Sequence, residues 1–93
     1  MYTASAKLTF HIQHANSLKE KRQVVRSVTD KARHKFNASI AEVDTQNLHR
    51  VMTIGIALVS GDASHAQKSL EEIIRYMEEH ANADLIQVEE GCD

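Results

Sequence analysis

Apolar and polar residues alternate strictly near the start of the chain. From Ala4 to Ile12 every second residue is apolar, and the residues between them are serine, lysine, threonine and histidine. A period of two over this length predicts a β-strand with one buried face and one exposed face. The stretch from Gln13 to Asn16 breaks the alternation and is expected to form a connection.

The pattern then changes to the period of an amphipathic helix. Ser17 and Glu20 have the spacing of a capping box, in which the Ser17 hydroxyl accepts from the Glu20 amide and the Glu20 carboxylate reaches back to the Ser17 amide. Apolar residues follow at spacings of seven, three and four, which predicts one buried stripe: Leu18, Val25, Val28 and Ala32, with Val24 beside it. The helix is expected to end at Phe36 and Asn37.

The second half of the chain predicts two more strands, a helix and a last strand. Residues 38–44 form a short segment with mixed alternation, so we expect an edge position or a β-bulge. Residues 50–60 are apolar on both faces and rich in β-branched side chains, which predicts a central strand. Asp62 is a good N-cap for a helix with a broad apolar stripe, and residues 85–89 read as the last strand.

This order of elements predicts an α+β fold of the ferredoxin-like type, βαββαβ. Right-handed crossovers would give a four-stranded antiparallel sheet with both helices on one face and the first and third strands in the centre. The 93 residues are 42% hydrophobic, which is enough for one modest core. We therefore expect a single domain over residues 1–93, with an ordered core from about residue 3 to residue 90.

Two short motifs resemble those of the YlxP-like family, small bacterial proteins of unknown function. They are SLKEKR at residues 17–22 and AEVD at residues 41–44, and the similarity extends over nearly the whole chain. The resemblance implies a ferredoxin-like fold. Genes of this family often lie among those for translation and ribosome assembly factors, which implies a partner class rather than an activity. Relatives often carry a tryptophan where this chain has His49.

The net charge of −2 conceals a strong asymmetry along the chain. Residues 17–36 contain seven lysines and arginines against two acids, whereas residues 62–93 contain nine acids against two basic residues. Cations presented together on a rigid helix can neutralise phosphates, although such charge runs are more often only a solvated face. The candidate nucleic-acid contacts are Lys19, Lys21, Arg22 and Arg26, with Lys31, Arg33 and Arg50 as secondary contacts.

Ribosomal RNA or a pre-ribosomal particle is the leading candidate partner. RNA-recognition sheets stack bases on aromatic residues of their central strands, and the third strand here contains none. Phe10 shares the face of Leu8 and Ile12 and is expected in the core. The predicted mode is therefore contact with phosphates and shape by the first helix rather than reading of base sequence.

The sequence contains no convincing catalytic or metal-binding motif. Glu42 and Asp44 would share a face of a regular strand, but charge protection of an edge strand or a salt bridge to Arg50 or the first helix explains them better than acid–base chemistry. The six histidines are scattered, and Cys92 is the only thiol. We expect no enzyme activity, no cofactor and no metal.

The face of the sheet away from the helices supports a second hypothesis. It is expected to expose part of an apolar surface formed by Val51, Ala57 and Val59. A homodimer, a protein partner or a small ligand could cover this face, and the sequence does not choose among them. No apolar stretch is long enough to cross a membrane, no signal-peptide pattern opens the chain, and the lone cysteine fits a reducing compartment, so we expect a cytoplasmic protein.

Overall fold

Six elements form one sheet and two helices in the predicted order. The computed structural model describes residues 1–92, with the side chain of Cys92 excepted. The elements are β1 (Tyr2–His11), α1 (Leu18–Lys35), β2 (Ser39–Asp44), β3 (Val51–Ser60), α2 (Ala63–His80) and β4 (Asp84–Cys92). The strands pair antiparallel in the order β2-β3-β1-β4. The ferredoxin-like prediction is confirmed, including the central position of β1 and β3.

The core lies between the sheet and the helices. The apolar residues of β1 are buried in alternation, and their neighbours in β3 with the same orientation, such as Met52 and Ile54, are buried beside them. Above them α1 contributes Val28 and Ala32, and α2 contributes the stripe Ala66, Leu70, Ile73 and Met77. The sheet therefore has one face covered by both helices and one face, here called the open face, that no element of the described residues covers.

The two edge strands differ in length and regularity. β2 has six residues and a register shift between Glu42 and Asp44, so both the edge position and the bulge expected for this segment are found. β4 runs over Asp84–Cys92 and is longer than the predicted residues 85–89. Among the described strands it pairs only with β1, with an irregularity opposite Thr9 and Phe10. One edge of the sheet is thus short and bulged, and the other is long.

The bulge in β2 separates the two carboxylates that a regular strand would place on one face. Glu42 pairs with Ile54 and therefore lies on the face covered by the helices. Asp44 pairs with Thr53 and therefore lies on the open face. The expectation of a shared face was conditional on a regular strand, and the extra residue, Val43, removes that condition. Glu42 and Asp44 do not form a carboxylate pair.

Gly55 in β3 lies directly under Val43 of the bulge. A Cβ atom on Gly55 would be only 2.7 Å from Val43 Cγ1, and the branched valine has few rotamers into which it can move. We expect Gly55→Ala to lower the free energy of unfolding by about 1 kcal/mol. In a protein that already carries Val43→Ala, Gly55→Ala should leave the free energy of unfolding almost unchanged. Urea denaturation measures this free energy in each variant. An equal cost in both backgrounds would contradict this close contact.

Candidate nucleic-acid interface

The first turn of α1 fixes where its cations lie. The backbone amide of Glu20 donates to Ser17 Oγ at 3.1 Å, as predicted for the N-cap. The Glu20 carboxylate accepts from the amide of Asn16 at 3.3 Å, one residue before the predicted partner. The reciprocal capping arrangement is present in a slightly wider form, and it begins the helix at Leu18.

Three of the predicted cations form a basic flank on α1, defined here as Lys19, Arg22 and Arg26. All three side chains are exposed, and none of them forms an ion pair with a described residue. Spacings of three and four residues place them on one side of the helix over about 10 Å of its length. Arg33 lies two turns further along the same side and reaches β2, so the basic flank overlooks the β2 edge of the sheet.

The structure corrects the assignment of Lys21 as a nucleic-acid contact. Its side chain is 1% exposed, and its ammonium lies 2.8 Å from Glu42 Oε2. The ammonium also donates to the carbonyl oxygen of Thr45 in the turn after β2. Lys21 therefore joins α1 to β2 and to the turn, and it presents no charge to a ligand. The helix-one salt bridge proposed for the carboxylates of β2 is found at Glu42.

The secondary cations divide into free and engaged groups. Lys31 is exposed and faces the groove between the two helices. The Arg33 guanidinium donates to the Ile40 carbonyl from Nε at 2.8 Å and also from Nη2, and it lies 3.4 Å from Asp30. Arg50 donates to Asn16 Oδ1 at 3.1 Å, which places it at the end of α1 where Lys19 lies. Arg33 is thus engaged with β2 while 48% of its side chain stays exposed, and Lys31 and Arg50 are exposed as well.

An aromatic cluster at the α1–α2 contact was not foreseen from the sequence. The Phe36 and Tyr76 rings meet edge to face at 5.3 Å, and Tyr76 stacks on His80 at 4.0 Å. The Lys35 ammonium lies 4.8 Å from the centre of the Tyr76 ring. The spacing of four between Tyr76 and His80 was the available signal, since such residues are neighbours on a helix. Through these contacts the cluster holds the C-terminal end of α1 against α2.

The open face contains the residues of the second hypothesis. Val59 is 64% exposed, Ala57 is exposed and Val51 is half-buried. Lys7 and Glu89 form an ion pair of 3.4 Å on the same face, between β1 and β4. This surface is therefore a mixture of small, apolar and charged side chains rather than a continuous apolar patch.

Other ligand types have little support in the described part of the chain. Within it, no group of three or more histidine, cysteine or acidic side chains is placed to hold a metal ion. The Cys92 thiol, the only one in the chain, lies outside the described residues. Neither of the described helices has the length and apolar character needed to cross a membrane.

Comparison with solved structures shows similarity of fold. A de novo designed protein with a ferredoxin fold superimposes with a TM-score of 0.59 and 17% identity, covering 99% of this chain and 85% of the designed chain. A REP-associated tyrosine transposase, solved bound to a REP hairpin, gives a TM-score of 0.51 and 17% identity, covering 98% of this chain and 55% of the transposase. At such identities the similarity concerns the fold alone.

Comparison of sequences shows the family. The uncharacterised protein YlxP of Bacillus subtilis (strain 168) is 34% identical over 67 residues, which cover 72% of this chain and 73% of YlxP. The model of a family described as "protein of unknown function (DUF503)" matches residues 3–90. These matches confirm the resemblance noted in the SLKEKR and AEVD motifs. The chain therefore belongs to the DUF503 family and is a relative of YlxP.

Proposed function

We propose that this protein is a non-enzymatic bacterial factor that acts in the cytoplasm and binds ribosomal RNA or a pre-ribosomal particle. The observation that supports this proposal is the basic flank of Lys19, Arg22 and Arg26 on α1. Its three cations are exposed, unpaired among the described residues and fixed on one side of a capped helix. Unpaired cations held together in this way attract a phosphate backbone and release its counterions on binding.

The remainder of the surface favours recognition of phosphates over recognition of bases. Phe10 is completely buried, and the described residues of β3 include no aromatic side chain that could stack on a base. Phosphate contacts position a protein on a nucleic acid without reading its sequence. The proposed mode is therefore binding of the basic flank to the shape and charge of folded or double-stranded RNA, with Arg50 adding a contact at the N-terminal end of α1. Lys31 faces the groove between the helices, on another side of α1, and would contact a separate part of the RNA.

The choice of ribosomal RNA among polyanions rests on the resemblance to the YlxP-like family, whose genes often lie beside those of translation factors. The transposase neighbour binds a REP hairpin in its own structure, but the relationship is one of fold and supports no particular ligand here.

Sucrose-gradient sedimentation of the tagged protein in bacterial lysate tests the association. We expect the protein to migrate with a ribosomal subunit or its precursor at low salt and to return to the top of the gradient at moderate salt. The double reversal Arg22→Glu/Arg26→Glu should abolish migration with the particle. The matched control Lys68→Glu/Arg75→Glu makes the same change of charge on α2 and should migrate like the unmodified protein.

Two results would contradict the proposal. Migration at the top of the gradient under both salt conditions would indicate that the basic flank is only a solvated surface. Equal loss of binding in the Arg22/Arg26 and Lys68/Arg75 variants would indicate a response to net charge rather than to a site on α1. Circular dichroism of each variant shows whether the fold is retained.

The exposure of Val59 favours a second candidate function, a dimeric protein-interaction or small-ligand module that uses the open face. In that case Val59→Lys should change the sedimentation coefficient of the purified protein, and salt should have little effect. If the purified protein is a monomer and Val59→Lys does not change its sedimentation coefficient, the open face does not mediate self-association.

A further inference from the structure

We propose that the outer edge of β4 is a docking site for an extended, lysine- and arginine-rich segment of a partner protein, which adds to the sheet as a fifth strand. The sheet order places β4 at the edge opposite β2 and the basic flank, so this surface is separate from the proposed RNA contact. β4 pairs with β1 on one side only, and the backbone groups on its other side are available to a further strand.

The two edges of the sheet are not equivalent as docking sites. β2 has six residues and a bulge, and Arg33 already donates twice to the carbonyl oxygen of Ile40. β4 has nine residues, its irregularity opposite Thr9 and Phe10 lies near its start, and its pairing with β1 is regular from Gln87 to Cys92. No described side chain hydrogen-bonds to the backbone of residues 84–90. An edge recruits another strand most readily where a long regular stretch carries no proline and no capping side chain. The regular stretch is four residues in β2 and six in β4. The geometry therefore favours β4 over β2.

A groove beside β4 offers apolar contact to an added strand. It has a volume of about 510 Å³ and is lined by Glu71, Ile74, Arg75, Glu78, Val88 and Glu90. Val88 lies opposite Leu8 in register, so its side chain points toward the helices, but α2 covers it poorly and leaves it 42% exposed. Ile74 on α2 is half-buried across the groove. A side chain from an added strand would bury both residues further.

The charged residues around the groove indicate which kind of segment would bind there. Glu71, Glu78 and Glu90 surround it, and Arg75 is the one basic residue in its lining. A second copy of this chain that paired through its own β4 would bring the same acids to the same place, which like-charge repulsion disfavours. A segment with lysine or arginine at alternate positions would meet these carboxylates while its backbone pairs with β4. The complementary occupant is thus a basic segment of another protein.

Peptide binding tests this directly. We expect an acetylated nine-residue peptide, KVKTKVKTK, to bind the full-length protein saturably, and the acidic counterpart EVETEVETE to show no binding. Two further versions of the basic peptide carry N-methyl groups on either the odd or the even residues. We expect one of them not to bind, because only every second backbone amide of an added strand donates to β4. Hydrogen exchange should show peptide-induced protection at every second amide of β4, those that do not pair with β1.

A matched pair of substitutions locates the site on the protein. Val88→Lys places a cation in the groove and removes the apolar contact, so we expect the affinity for the basic peptide to fall about tenfold. Leu48→Lys makes a comparable change at an exposed apolar residue in the β2–β3 connection and should leave the affinity unchanged. Both positions are partly exposed, so neither substitution empties the core.

Three outcomes would overturn the proposal. The first is no saturation by the basic peptide up to about 1 mM. The second is protection from exchange in β2 or α1 instead of alternate amides of β4. The third is a homodimer of the free protein that Val88→Lys dissociates, because a second copy would then be the occupant of this edge.

Discussion

Lys21→Met is expected to destabilise the protein by about 3 kcal/mol, although the substitution replaces a charged residue with an apolar one of similar length. The Lys21 ammonium is buried, lies 2.8 Å from Glu42 Oε2 and donates to the Thr45 carbonyl. Removing it leaves the buried Glu42 Oε2 without its cation and without a hydrogen bond from any described residue, in a side chain that is only 18% exposed. For a domain of this size the midpoint of thermal unfolding should fall by more than about 10 °C.

The turn after β2 adds to this cost. Thr45 has a φ of 61°, a left-handed conformation that is unfavourable for a β-branched residue. Its backbone is held by the Asp44 carboxylate, which accepts from the Thr45 amide at 2.8 Å, and by the Lys21 ammonium at its carbonyl. The Thr45 hydroxyl also lies 3.0 Å from Thr53 Oγ1. Loss of Lys21 thus removes one of the contacts that stabilise this conformation.

The double variant Lys21→Met/Glu42→Leu distinguishes a buried pair from a surface pair. Replacing both partners removes the stranded charge and leaves only the lost hydrogen bond to the Thr45 carbonyl. We therefore expect the double variant to unfold within about 1 kcal/mol of the unmodified protein. Urea denaturation followed by circular dichroism gives all three free energies of unfolding. A cost below about 1 kcal/mol for Lys21→Met alone would contradict the proposed role, because exposed ion pairs contribute no more than that.

Much of the fold could be predicted because its strongest patterns are local. The alternation in β1 and the capping residues Ser17 and Asp62 each define an element without reference to the rest of the chain. The end of β4 was less predictable, because Glu90 and Gly91 become strand through pairing with β1 rather than through their own preference. The bulge at Val43 is likewise set by pairing and by the turn that follows it.

The burial of Lys21 could have been found in the sequence pattern. The predicted stripe of α1 passes from Leu18 to Val25, and Lys21 lies three residues after the first and four before the second, in the middle of the buried side. Glu42 lies two residues after the buried Ile40 and therefore shares its face. Opposite charges at two core-facing positions are expected to pair. Proximity in sequence does not distinguish Lys21 from the exposed cations Lys19 and Arg22, whereas its position on the buried face of the helix does.

The functional assignment is harder to predict for a physical reason. Whether exposed cations such as Lys19 bind a polyanion or only interact with water depends on a molecule that is absent from both the sequence and the fold. The structure distinguishes the exposed basic residues without an ion pair, such as Lys19, from those that bind to other parts of the protein, such as Lys21. Variants of the two groups can therefore be compared in a quantitative RNA-binding experiment.

Neutralising the basic flank should reduce both the affinity for RNA and its dependence on salt. For Lys19→Gln/Arg22→Gln/Arg26→Gln, we expect binding to a double-stranded RNA to weaken about a hundredfold or more at low salt. The slope of log affinity against log salt concentration should become shallower by about 2 to 3, because each lost phosphate contact removes the release of nearly one counterion. Fluorescence anisotropy over a series of salt concentrations measures both quantities.

The Lys21→Met/Glu42→Leu protein is the decisive control for this experiment. It removes a lysine from the same helix, yet its RNA affinity and salt slope should equal those of the unmodified protein, because the Lys21 ammonium is buried against Glu42. An unchanged slope in the triple variant would refute the basic flank as a phosphate-binding site. A shallower slope in the double variant would show that Lys21 contacts RNA, which would require the Lys21–Glu42 pair to open on binding.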